Sequence, residues 1–77
     1  MVYYYRSSVG TFWIRPEPGS PSQVQLGVGD EVLGCYHSPE AAADDVYTQH
    51  TGYYAWDSLP SVTDPTDLSE WQKGQAG

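Results

Sequence analysis

Apolar and polar residues alternate with a period of two in the first half of the chain, and a helical spacing follows in the second. From Thr11 to Arg15, Phe12 and Ile14 fall on one side and Thr11, Trp13 and Arg15 on the other. From Gln23 to Val28, Val24, Leu26 and Val28 alternate with Gln23, Gln25 and Gly27. A period of two is the side-chain repeat of a β-strand, so each stretch predicts a strand with its apolar set inward. Trp13 then lies on the opposite face of the sheet. Val2 to Tyr5 favours a strand by residue type, but its Tyr3/Tyr5 and Val2/Tyr4 faces cannot be ranked by polarity. Glu31 to His37 predicts another strand of ambiguous parity. We place Leu33 and Cys35 inward. Gly34 marks either a bulge or a close approach to the helix, in which case Tyr36 also turns inward.

Punctuation separates these elements. Ser7-Ser8-Val9-Gly10 is a break. Pro16 to Ser22 contains three prolines and predicts a loop, long for a hairpin connection and mobile at its tip. Gly29-Asp30 predicts a tight turn. Ser38-Pro39-Glu40 is a helix start: a hydroxyl that accepts from the first-turn N–H groups, a proline where no donor is needed, and an acid at the positive end of the dipole. The helix is predicted from Pro39 to about His50, with Ala42 or Ala43, Val46, Tyr47 and His50 at helical spacing and Gly52 as its C-terminal cap. Tyr53 to Asp57 predicts a short fourth strand or an irregular cover over the core edge. Ser58 to Pro65 predicts a loop, and residues 65–72 a second short helix capped by Asp64, with Leu68 and Trp71 on one stripe. Lys73 to Gly77 predicts a frayed end.

Together these elements predict an α+β fold: an antiparallel sheet of three or four strands with one helix packed across it, in the order β-β-β-α, and a short C-terminal helix. Residues 1–57 form the expected core domain and 58–77 a C-terminal segment.

Composition narrows the function classes. The chain has 77 residues, 3 basic and 10 acidic, for a net charge of −7. The acids are dispersed, and such a charge repels phosphate backbones and anionic lipid surfaces. Nucleic acid is therefore a disfavoured partner, and no membrane association is expected. No apolar run approaches the roughly 20 residues that cross a bilayer. Met-Val-Tyr-Tyr-Tyr-Arg does not read as a signal peptide. A single cysteine, Cys35, permits no internal disulfide and suits a reducing compartment. The expected location is the cytoplasm of a bacterium.

Candidate chemistry is sparse. Cys35 and His37 have the spacing of two metal ligands, but among the remaining residues only His50 is a further soft ligand. A buried thiol is the favoured reading of Cys35, although its pairing with a histidine as a nucleophile is conceivable. Asp44 and Asp45 precede His50 by six and five positions, which does not put all three on one helix face. Asp45 reads as a solvated helix charge. Gly27-Val28-Gly29-Asp30 lacks the lysine and following helix of a phosphate loop. No enzyme activity, cofactor or metal is expected.

Two resemblances attach to these residues. Gly10-x-Phe12-x-Ile14, followed by Leu33-Gly34-x-Tyr36-x-Ser38-Pro39-Glu40-x-Ala42-Ala43, resembles the three-stranded sheet and helix of AP2 and integrase-type DNA-binding domains over about residues 9–50. That resemblance implies DNA contacts from the exposed sheet face, here Trp13, Arg15, Gln23, Gln25 and Val32. Of these, Trp13 and Arg15 fit the role and the others do not. The chain is also similar, over nearly its whole length, to a group of short uncharacterised bacterial proteins. Ser38-Pro39-Glu40-Ala41-Ala42-Ala43, Thr51-Gly52, Trp56-Asp57 and Asp67-Leu68-Ser69-Glu70-Trp71 carry that similarity.

Aromatic residues are abundant, with 7 Tyr, 3 Trp and 1 Phe. Such side chains serve cores and binding surfaces alike. The candidate partner-binding surface is Tyr3, Tyr5, Trp13, Arg15 and Tyr53. Against it stands internal cover, with Leu68 and Trp71 packed on Trp13. The expected function is a small acidic, non-enzymatic accessory or protein-interaction module, its partner another protein or a second copy. The alternative is a nucleic-acid-binding module that uses the exposed sheet face.

Overall fold

A computed structural model describes residues 2–60, 62 and 67–74. Five strands form one antiparallel sheet: β1 (Val2–Ser7), β2 (Gly10–Glu17), β3 (Ser20–Val28), β4 (Glu31–Tyr36) and β5 (Gln72–Gly74), in the spatial order β4-β3-β2-β1-β5. Helix α1 (Pro39–Tyr47) packs on one face. A single turn, α2 (Tyr54–Asp57), and a 3₁₀ turn (Leu68–Glu70) follow it. The fold is α+β, as the alternation implies, but the sheet has five strands. The Val2–Tyr5 stretch is a full interior strand, and the three-residue β5 pairs with its outer side.

The β2–β3 connection corrects the expected loop. Glu17 pairs with Ser20, leaving only Pro18-Gly19 between the strands. Gly19 has φ +80°. Proline followed by glycine at positive φ is the backbone of a type II turn. Pro16 pairs with Val24 next to the register shift at Pro16/Glu17, a position where strands tolerate proline.

Phe12, Ile14, Leu26 and Val28 are buried beneath Ala42, Ala43 and Val46 of α1, as the alternation predicts. The small alanines bring the helix close to the sheet. Ser38 caps α1 by accepting from the Ala41 N–H at 3.1 Å. The helix ends earlier than its pattern suggests. His50 N–H donates to the Asp45 carbonyl and Gln49 N–H to that of Val46, while Gln49 takes φ +62°. These bonds close a Schellman-type cap at Gln49, with Gly52 outside it. The Gln49 amide compensates by donating to the Trp56 and Leu59 carbonyls at 3.0 and 2.8 Å.

Residues Tyr53–Asp57 form no fourth strand. The Asp57 carboxylate accepts from the Thr51 and Gly52 N–H groups and from the Thr51 hydroxyl. This draws the segment into a compact turn and places Trp56 in the core, its indole N–H donating to the Val46 carbonyl at 2.8 Å. The expected second helix is a 3₁₀ turn within the described residues, capped by Asp67 rather than Asp64; positions 64–66 lie outside the described residues. Ser69 donates to the Asp67 carboxylate through both its N–H and its hydroxyl, which holds that carboxyl below its ordinary range. Trp71 is buried beside Tyr5, with ring centres 5.8 Å apart. Its indole N–H meets no partner among the described residues.

β4 changes parity within its length. Gly27 pairs with Val32, but Leu26 pairs with Gly34, so Leu33 is an extra residue. A bulge of this kind moves the following side chains to the other face. Leu33 and Tyr36 therefore both pack against the core, and Cys35 is exposed. The inward placement of Cys35 is thereby overturned. Asp45 also differs from its expected role as a solvated charge: it is half-buried and accepts from the Tyr36 hydroxyl at 2.6 Å. Burial, reinforced by the adjoining carboxylate, pushes the Tyr36 hydroxyl well above its ordinary pKa.

Candidate functional site: the outer face of the sheet

Cross-strand partners in an antiparallel pair project from the same face. Tyr3 pairs with Ile14 and Tyr5 with Phe12, both core residues. Tyr3 and Tyr5 therefore belong to the helix side, where both pack against the core. Tyr53 joins them there, edge-on to Phe12 with centres 6.5 Å apart. These three of the five candidate surface residues do not share a face with Trp13. Tyr4, paired with Trp13, does. The two-residue turn at Ser8-Val9 sets this register, and the break at residues 7–10 was its signal in the sequence.

Trp13 and Arg15 remain on the outer face with Tyr4, Gln25 and Val32. Val2, Tyr4, Trp13, Arg15, Pro16, Asp30 and Val32 are among the residues around a shallow concavity of about 580 Å³. Tyr4 and Val32 are among its exposed apolar surfaces, at 37% and 49% of their full accessibility.

Two glycines shape this surface. A Cβ at Gly27 would fall 2.0 Å from the Trp13 ring, and one at Gly74 would fall 2.8 Å from the Tyr4 ring. Each aromatic ring thus rests over a backbone position without a side chain, a known use of glycine within strands. The Trp13 indole N–H donates to the Gly29 carbonyl at 2.8 Å and fixes the ring. Arg15 lies over that ring, its guanidinium carbon 4.5 Å from the centroid, and its Nε donates to Gln25 Oε1 at 2.9 Å. Together these contacts order a long cationic side chain on a rigid aromatic base.

The described residues of the C-terminal segment leave this surface open. Leu68 and Trp71 pack into the core on the helix side and do not cover Trp13. The expected packing of Leu68 and Trp71 on Trp13 is thus corrected: both pack on the opposite face, and Gln72–Gly74 adds to the sheet edge.

Cys35 is on the outer side, where its thiol donates to Glu17 Oε2 at 2.8 Å. That hydrogen bond, with the carboxylate charge beside it, raises the thiol pKa and disfavours the nucleophilic thiolate. No cluster of three His, Cys, Asp or Glu residues able to hold a metal occurs among the described residues. None of their helices is long and apolar enough to cross a membrane.

Compared with protein-family models, with curated proteins and with solved structures, the chain has no match.

Proposed function

We propose that this protein is a non-enzymatic protein-interaction module of the bacterial cytoplasm that binds a segment of a partner protein on the outer face of its sheet. The carrying observation is the row formed by Tyr4, Trp13 and Val32, left uncovered by the described residues on the side opposite the helix, Leu68 and Trp71. Contiguous apolar surface left open beside polar groups is a common feature of protein-binding sites. Rings already fixed over glycines lose little freedom when a partner arrives. The exposed single thiol of Cys35 supports the reducing compartment.

A photo-crosslinking residue placed at Val32, and separately at Asp44 on the exposed side of α1, tests the reading. A defined protein adduct from position 32 only, lost when Tyr4→Ala is added, is the expected result. Equal labelling from position 44, or adduct formation indifferent to Tyr4→Ala, would reject the outer face as the binding surface.

A further inference from the structure

Arg15 stands out as a cation set on an aromatic ring in a chain with ten acidic residues. Its Nε is occupied by Gln25 and one side of its guanidinium lies over Trp13. Among the described residues, its contacts are the Gln25 hydrogen bond and the Trp13 ring, with no carboxylate paired to it. The two terminal amino groups of a guanidinium are the donors that receive a carboxylate in a forked pair. The β1–β2 pairing puts Arg6 on the same face, so two of the chain's three cations are here. Asp30 lines the concavity, and Glu17 lies elsewhere on the outer side, bonded to Cys35.

From this arrangement we infer that the occupant of the outer face is an extended acidic peptide segment of a partner protein, anchored by one carboxylate on Arg15. The inference rests on the outer face being the binding surface. Apolar side chains next to that carboxylate meet Val2, Tyr4, Trp13 and Val32, which line the same concavity. Asp30, which also lines the concavity, disfavours a second acid there. A nucleic acid fits less well. It would bring a row of phosphates against Asp30, Glu17 and the overall charge of −7, whereas a single carboxylate needs one cation.

A short-peptide display library with randomised sequence, panned on the full chain, tests the assignment. The expected winners carry one Asp or Glu beside aromatic or aliphatic residues. Replacing that acid by its amide, or introducing Arg15→Gln, weakens binding about tenfold or more, the scale of a charge-assisted forked pair. Arg15→Lys, which keeps the charge without the fork, falls between. The thermal midpoint of each variant checks that the fold is retained. Winners that depend on Tyr4 but show no preference for acid, or that bind Arg15→Gln unchanged, overturn the carboxylate anchor while the outer face stands. Failure to select any peptide overturns both readings. Tight binding of an oligothymidine that Arg15→Gln abolishes would replace the peptide with a single-stranded nucleic acid.

Discussion

The inner face of the sheet packs its aromatic residues against other side chains, and the outer face rests them over glycines. Phe12 meets Trp56 at 5.1 Å between ring centres and 70° between planes, and Trp71 lies against Tyr5. The cover for this face comes from residues far along the chain. Trp13 and Tyr4 instead fill the space above Gly27 and Gly74 on neighbouring strands. One face is sealed by the chain folding back on it. The other is made rigid from within its own strands and stays accessible, so a small domain can order a surface without burying it.

The largest expected effect lies on the sealed face. Val46 is fully buried under the sheet, and Val46→Asp would force a charge into that interface, costing about 4 kcal/mol or more and unfolding a domain this small. Loss of the cooperative thermal transition is the expected readout; a preserved midpoint would break the assignment of Val46 as the central helix contact.

Gly27→Ala sharpens the comparison, because it strikes the open face with a core-like penalty. Its Cβ would displace the Trp13 ring, and overpacking of this kind costs about 1–3 kcal/mol. A lower urea midpoint, together with loss of the Trp13–Gly29 hydrogen bond in an indole N–H NMR spectrum, is expected.

A smaller effect separates the faces by pH. The Tyr36 pKa is raised in the folded protein. The folded state therefore holds its proton where the unfolded chain has lost it, and the associated stability is present below about pH 10, the ordinary tyrosine value, and declines as pH rises toward the folded pKa. Stability measured by denaturant titration falls across that alkaline range. Tyr36→Phe, itself costing about 1 kcal/mol for the lost hydrogen bond, flattens the fall. Smallest of all, Val32→Ser on the open edge strand should shift stability by less than about 0.5 kcal/mol. A large loss there would show that the outer face is structurally committed after all.

Much of the sealed face was legible in the chain. Phe12/Ile14 and Val24/Leu26/Val28 alternate cleanly, and Ser38-Pro39 announces its helix. The misses have physical causes. Three consecutive tyrosines carry no polarity contrast, so only the register fixed by a distant turn divides Tyr4 from Tyr3 and Tyr5. The Leu33 bulge reverses parity through pairing with β3, although Gly34 was its hint. β5 is Gln72-Lys73-Gly74, without a strand-favouring residue, and exists through its ladder to β1. Pro16 and Pro21 obscured a turn that needs only Pro18-Gly19. On the outer face Trp13 and Arg15 were readable, whereas the glycine seats beneath the rings require knowing which strands lie side by side.

The three tryptophans are unequally placed: Trp56 and Trp71 are buried and Trp13 is half-exposed. Light emission from the protein can therefore be divided by dissolved quenchers into two sheltered indoles and one accessible indole. The accessible one rests under Arg15, so a molecule settling there would shield it from acrylamide and shift its emission, giving the domain an optical gauge of its own occupancy that requires no added dye.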